Sequence, residues 1–261
     1  MSEVRDPVER SARLLRAART GEAATAAEIR RELADYASAD LAAALSDADA
    51  RTAFWLNTYN ATVQDDLRDD PARYDSRLRF FVADRVTVAG RRLSLNDIEH
   101  GILRRSKSIF GLGYLPRLLQ SRFERTHRVT ELDARIHFAL NCGAASCPPI
   151  AAYSRERLDE ELTLASRSYL GSEVEYDREA GVVRVPQLLL WYRGDFGGRT
   201  GILDYLRTYG PLSGDAAPKL RYRSYDWSLE LENALDFDDV DTTDRPSETR
   251  SDEGRAVETE G

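Results

Sequence analysis

Apolar positions along the first seventy residues recur at helical spacing. Val8, Leu14 and Leu15 form a stripe behind Pro7, a residue suited to a first helical turn, and Gly21 ends the pattern. An Ala-rich stretch near Ala24 to Tyr36 predicts a second helix. Ser46 with Asp49 reads as a capping box opening a third. Its broad apolar face carries Phe54, Trp55, Tyr59, Val63 and Leu67 until Asp70-Pro71 stops it. Val86–Val88 and Arg91–Leu93 flank Ala89-Gly90, the pattern of a tight hairpin. Ser94 and Asp97 form a second capping box, and the helix behind it, through Ile98, Ile102 and Leu103, carries Glu99 and His100.

From Arg135 to Leu140 the chain alternates, with Ile136, Phe138 and Leu140 against His137 and Ala139. The alternation predicts a strand with one face in a core, ending at Asn141-Cys142-Gly143. Pro148-Pro149 forbids regular structure beyond it. An amphipathic helix over Ser154–Leu170, a hairpin of Val174–Tyr176 with Val182–Val185, a helix near Leu203–Tyr209 and a strand around Leu220–Tyr225 follow. The pattern gives an α+β fold in which a helical N-terminal part packs with a small, mainly antiparallel sheet and further helices. It divides into a helical extension over 1–49, an α+β domain over 50–235 and an acidic tail, 236–261, of disordered composition.

Composition narrows the function classes. A hydrophobic fraction of 42% and a charged fraction of 31% are those of a water-soluble globular chain. No apolar run is long enough to span a bilayer, and Met1–Arg19 lacks a signal core, so the expectation is a cytoplasmic protein without membrane contact. Net charge is −8, and the segment from Asp236 carries ten acidic against three basic residues, leaving the rest near neutral. A basic stripe for nucleic acid is absent. Two cysteines, Cys142 and Cys147, lie too close together in an intracellular chain to suggest a structural disulfide.

Chemistry concentrates around Cys142. A thiol at a strand end followed by Gly143 is placed to face a cleft, with backbone N–H groups nearby for an oxyanion. Free Cys is also among the most buried residues, so a packing role stands beside the nucleophilic one. Only three histidines are present, and a nucleophile needs a base within reach. His100, on a separate helix, is the first choice and His137 the second, because a continuing strand would turn His137 away from Cys142. His127, between charged neighbours, is expected to be exposed. Asn57 or Glu99 would orient the imidazole, following the logic of Cys-His-Asn hydrolases. Asn57 and Asn60 are equally suited to satisfying backbone groups between helices. A zinc site of His100, His137, Cys142 and Cys147 is a further alternative, although its ligands are scattered. No cofactor motif is present: Gly111-Leu112-Gly113 lacks the rest of a phosphate loop. The pairs Trp191-Tyr192 with Asp195-Phe196, and Tyr225-Asp226-Trp227, suit a pocket wall or a core.

Five segments taken in order, FWLNTYN at 54–60, LSLNDIEHGILR at 93–104, DARIHFALNCGAASCPPI at 133–150, WYRGDF at 191–196 and YDWSLE at 225–230, resemble the domain of unknown function 547 (DUF547) family. The resemblance spans roughly Ala50 to Leu231. It implies an intracellular module of unassigned function, of a kind fused in eukaryotes to coiled coils, which favours a scaffold or binding role. Ala134 before Arg135 and Glu230 after Trp-Ser-Leu depart from the family's commoner residues, and neither change touches Cys142, His100 or His137. Two functions therefore stand at this point: a cysteine-dependent hydrolase or acyl-transferase acting on a small molecule or peptide, and a non-catalytic module binding a protein or peptide through the same residues.

Overall fold

A computed structural model describes residues 6–238, so the tail expected from residue 236 lies almost wholly outside the described residues. Four helices open the chain: α1 (Pro7–Thr20), α2 (Ala23–Asp35), α3 (Ser38–Ala44) and α4 (Ala48–Asp69). Asp6 caps α1, accepting from the Val8 N–H, and Gly21 ends it in the left-handed conformation that glycine adopts without penalty. The expected capping box at Ser46 does not form. Asp47 caps α4 instead, its carboxylate accepting from the Ala50 N–H at 2.9 Å.

α4 is the central element, and α1 lies along it. Every residue from Ala53 to Gln64 is buried, including Asn57, Thr58, Asn60, Thr62 and Gln64. A helix buried all round must satisfy such polar groups internally. Thr58 and Thr62 donate to the carbonyls four residues back, both at 2.7 Å, while Asn57 and Asn60 reach backbone groups on other segments.

After α5 (Arg77–Val82), β1 (Asp84–Val88) and β2 (Arg91–Ser94) form the expected hairpin, with Val88 opposite Arg91 and Val86 opposite Leu93. Ala89 and Gly90 both have positive φ, as the mirror-image turn of a two-residue hairpin requires. The Ser94–Asp97 box also forms, with reciprocal bonds of 2.7–3.2 Å. The helix it opens widens into a π-helix over Asp97–Leu103.

α6 (Arg122–His127) follows, then α7 (Leu158–Glu173), β3 (Glu175–Asp177), β4 (Val182–Val185), α8 (Leu188–Trp191), α9 (Gly198–Thr208) and β5 (Lys219–Tyr222). β4 pairs antiparallel with β3 and parallel with β5, so the fold is α+β with two small sheets. α7 starts four residues later than expected, because Ser154 is held outside it by two bonds of 2.7 Å to Glu161.

Two apolar clusters result. One joins α1–α4, the hairpin and the cysteine segment; the other joins α7–α9 with the three-stranded sheet. Between them runs Ala134–Phe138, which is a 3-10 turn and not the strand that its alternation predicts. Ile136 enters the first cluster and Phe138 the second, so the segment is buried on both sides and its alternation reports two cores, not a pleat. No helix among the described residues is long and apolar enough to cross a membrane.

Candidate functional site

The cysteine loop is held from two sides. Asn60 on α4 donates to the Ala139 carbonyl at 2.9 Å and accepts from the Asn141 N–H at 3.0 Å. Asn141 in turn bonds the Pro148 carbonyl and the Gly143 N–H, both at 2.8 Å, which folds residues 141–148 back on themselves. From the other side the chain after β5 lies against the loop, Ala145 donating to the Ser228 carbonyl and Glu230 to that of Gly143. Gly143 sits at φ +87, and an added Cβ would fall 2.8 Å from Leu67.

Within this loop the two thiols meet. Cys142 Sγ is 2.7 Å from Cys147 Sγ, and the Tyr225 hydroxyl lies 3.4 Å from the first and 3.1 Å from the second. Both are free cysteines, Cys142 partly exposed and Cys147 buried. The bond from Cys147 is the largest influence on Cys142 and, with the Tyr225 hydroxyl, holds its pKa below the usual thiol value despite burial. Burial and the same contact push Cys147 well above it. Cys142 is thus the more readily ionised thiol of the pair and Cys147 the one that holds its proton. The oxyanion donors expected beside it are occupied: the Gly143 N–H is given to Asn141, and the Cys142 N–H to Cys147 Sγ at 3.0 Å. No helix starts there, because the segment from Gly143 to Arg157 is a loop.

The π-helix brings Glu99, His100 and Arg104 to the same place. Widening the turn sends the Arg104 N–H to the Glu99 carbonyl at 2.7 Å, a spacing of five residues. Glu99 is buried and accepts from Tyr192 at 2.7 Å and from Tyr59 at 3.2 Å. Burial is its largest single influence and pushes its pKa up, but His100, Tyr192 and Arg104 together hold it below the usual carboxylate value. The Arg104 guanidinium, 1% exposed, bonds His100 Nδ1 at 2.8 Å and Asp195 Oδ2 at 2.6 Å. Asp195 also meets His137 Nε2 at 2.9 Å, and the His137 ring stacks on Tyr192 with centroids 3.8 Å apart.

These contacts fix the two tautomers. Arginine only donates, so His100 Nδ1 is an acceptor and its proton sits on Nε2. Burial lowers the His100 pKa to about 4 against the pull of Glu99, so the ring is neutral at physiological pH. Burial also lowers His137. Asp195 is held below the usual carboxylate range by His137 and Arg104 in spite of burial, so it accepts, and His137 donates from Nε2 and keeps its lone pair on Nδ1. Arg104 thus engages the lone pair of His100, whereas Asp195 engages the protonated nitrogen of His137.

Cys142, Cys147, Glu99, His100 and His137 wall one cavity of about 300 Å³ with Tyr59, Tyr192 and Tyr225, at the lower end of small-ligand sites. Asn57 is elsewhere: it donates to the Tyr153 carbonyl and accepts from the Tyr153 N–H, both at 2.8 Å, so it orients backbone and no imidazole. Glu99 approaches His100 Nδ1 only at 3.5 Å, at an atom already taken by Arg104, and does not orient that ring either. His127, expected at the surface, is 1% exposed, packs on Phe123 and Trp55 and bonds the Ser38 hydroxyl at 2.9 Å. The zinc alternative fails on its ligand set, since among the described residues no group of three or more His, Cys, Asp or Glu is disposed to hold a metal.

Residues 43–170 match the model of a family described as protein of unknown function, DUF547. This segment is a DUF547 domain. No curated protein and no solved structure matches the chain. The matched stretch holds the segments around Asn57, His100 and Cys142; WYRGDF and YDWSLE lie beyond it, although the resemblance read from the sequence included them. Those two segments supply Tyr192, Asp195 and Tyr225, which contact Glu99, His137 and Cys142 of the DUF547 domain. Asp195 and Arg104 are the residues sequence reasoning passed over. The only signals for them were the aromatic–acid pair at 192–195 and the end of the LSLNDIEHGILR segment.

Proposed function

We propose that this DUF547 protein is a cysteine-dependent acyl-transfer enzyme, a hydrolase or acyl-transferase, with Cys142 as nucleophile and His137 as general base. The observation that carries the reading is that Cys142 and His137 wall one cavity while Asp195 fixes the His137 tautomer with Nδ1 unprotonated. His137 takes the thiol proton; the thiolate attacks an acyl carbon, and the leaving group departs with that proton from His137. Water or a second acceptor then resolves the thioester. Cys147 and Tyr225 steady the thiolate as it forms, and the Nε2–H of His100 supplies a neutral donor to the developing oxyanion in place of the occupied backbone groups. Two adjacent thiols fit a reducing, cytoplasmic setting.

A thiol-reactive probe tests this on the full chain. Cys142 should label near neutral pH faster than a free thiol while Cys147 stays silent, and His137→Gln should slow the labelling. Equal labelling of both cysteines only above about pH 8 would overturn the assignment. The second reading, a non-catalytic binding module, draws on Asn57 and Asn60, whose side chains are spent on knitting α4 to the Tyr153 and Ala139 backbones. Under that reading Cys142→Ser and His100→Ala lower stability and change nothing else.

A further inference from the structure

Every exposed large hydrophobic side chain among the described residues lies in one of two segments. Leu78 and Val82 are 75% and 50% exposed on α5; Ile109, Phe110 and others up to Leu119 stand out from the loop that leaves the π-helix. Leu78 and Ile109, one from each segment, also line the cavity that holds Cys142. Water-facing apolar groups scattered singly need no explanation, but all of them gathered in two segments that both reach one cavity do. Inside, Phe81, Leu140, Leu188, Trp191 and Trp227 continue the apolar lining beside the thiols, Glu99 and the imidazoles.

The loop is built to stay in this position. Gly113 has φ +83, and a Cβ there would lie 2.7 Å from Asp195 Oδ1; the Gly194 N–H bonds the Leu112 carbonyl at 2.7 Å. Lys107 donates to the Gly113 carbonyl at 3.0 Å. The apolar tip is therefore pinned at its base by these two bonds, packed closely beside the carboxylate that meets His137.

We infer that the site takes substrates whose acyl group is a hydrocarbon chain, the chain lying along the apolar lining and leaving past Leu78 and Ile109. The inference rests on the acyl-transfer reading for the word acyl, and on the lining alone for the chain. Binding separates the two. Full-length Cys142→Ser protein is titrated with acetamide, hexanamide and decanamide, uncharged so that Glu99 does not repel them, with Trp191 and Trp227 fluorescence as the readout. Affinity should rise about four-fold per added methylene, the ~0.8 kcal/mol per buried CH₂ converted, and level off once the chain outruns the cavity. Ile109→Asp, at an exposed position that leaves the core intact, should weaken decanamide at least ten-fold. A flat series, or decanamide binding indifferent to Ile109→Asp, overturns the inference. A flat series beside a hyper-reactive Cys142 removes the apolar chain and leaves the thiol chemistry. A rising series beside an inert Cys142 keeps the apolar site and removes the enzyme.

Discussion

Replacing Asp195 by Asn tests the electrostatic core of the site without changing its shape. Asp195 has no exposed side-chain surface and faces two partners, Arg104 Nε at 2.6 Å and His137 Nε2 at 2.9 Å. Arg104 is 1% exposed, so removing the carboxylate charge leaves a guanidinium in a dry site with neutral acceptors at His100 Nδ1 and the Ser108 carbonyl. Breaking a buried pair from one side costs about 3–5 kcal/mol. An amide oxygen in the place of Oδ2 keeps weakened, neutral hydrogen bonds to both Arg104 and His137, which together offset about 1 kcal/mol. The net expectation is a loss of about 2–4 kcal/mol in urea unfolding at neutral pH, read as a lower midpoint at constant slope. The double change Asp195→Asn with Arg104→Met should be closer to the parent than the single one, because the stranded cation has gone. If the single variant loses less than about 1 kcal/mol, or the double loses more than the single, the pair is not the buried charge couple described here. Under the proposed function the same variant keeps the His137 tautomer, since the amide oxygen stays in the place of Oδ2, but removes the charge that stabilises the imidazolium, and Cys142 labelling should slow.

The histidines set an acid limit. His100 and His127 both have pKa values lowered to about 4 by burial, against an ordinary 6.5. Between those values the unfolded chain binds protons that the fold does not, so stability is complete above about pH 6.5 and falls as pH drops toward 4, by up to ~3 kcal/mol for each ring. Urea midpoints at pH 7.5 and pH 5 check this; His127→Gln should shrink the difference, and equal midpoints would refute it. At the start of α4, Asp47→Ala should cost about 1 kcal/mol and Ser46→Ala a few tenths at most, by thermal melts, and the reverse order would restore the capping box that the sequence suggested.

What the sequence discloses depends on whether a local pattern has one cause. The hairpin turn at Ala89-Gly90 and the Ser94–Asp97 box are local devices, and both are legible and present. Residues 134–138 look like a strand because Ile136 and Phe138 are both buried, but each enters a different cluster, which one-dimensional alternation does not separate. His127 looks exposed between two arginines, yet α6 turns Arg125 outward and the ring inward onto Phe123, while Arg128 bonds Ser106 and Gln120. The π-helix is likewise hidden, since its spacing of five is set by packing around Glu99 and Arg104 and not by periodicity. The candidate residues themselves were visible; their roles were not. Asn57 and His137 exchanged importance because a tautomer is decided by the atom across from the ring, and that atom belongs to Asp195, fifty-eight residues further on.

That distance bears on where the functional unit ends. The matched DUF547 stretch closes at Leu170, inside α7, and contains both cysteines, both cavity imidazoles and Glu99. A chain stopped there would keep every sequence-visible candidate and lose what makes them a site. Glu99 would lose its shorter hydrogen bond, the one from Tyr192; the thiols would lose Tyr225; and Arg104 would be left in the interior without Asp195. A buried cation without its carboxylate does not stay buried at neutral pH unless some other acid replaces it. The segment from α8 to Trp227 is therefore as much a part of the centre as the motif around Cys142. The sixty or so residues that follow the matched stretch carry the carboxylate and the two ring hydroxyls that set its protonation states.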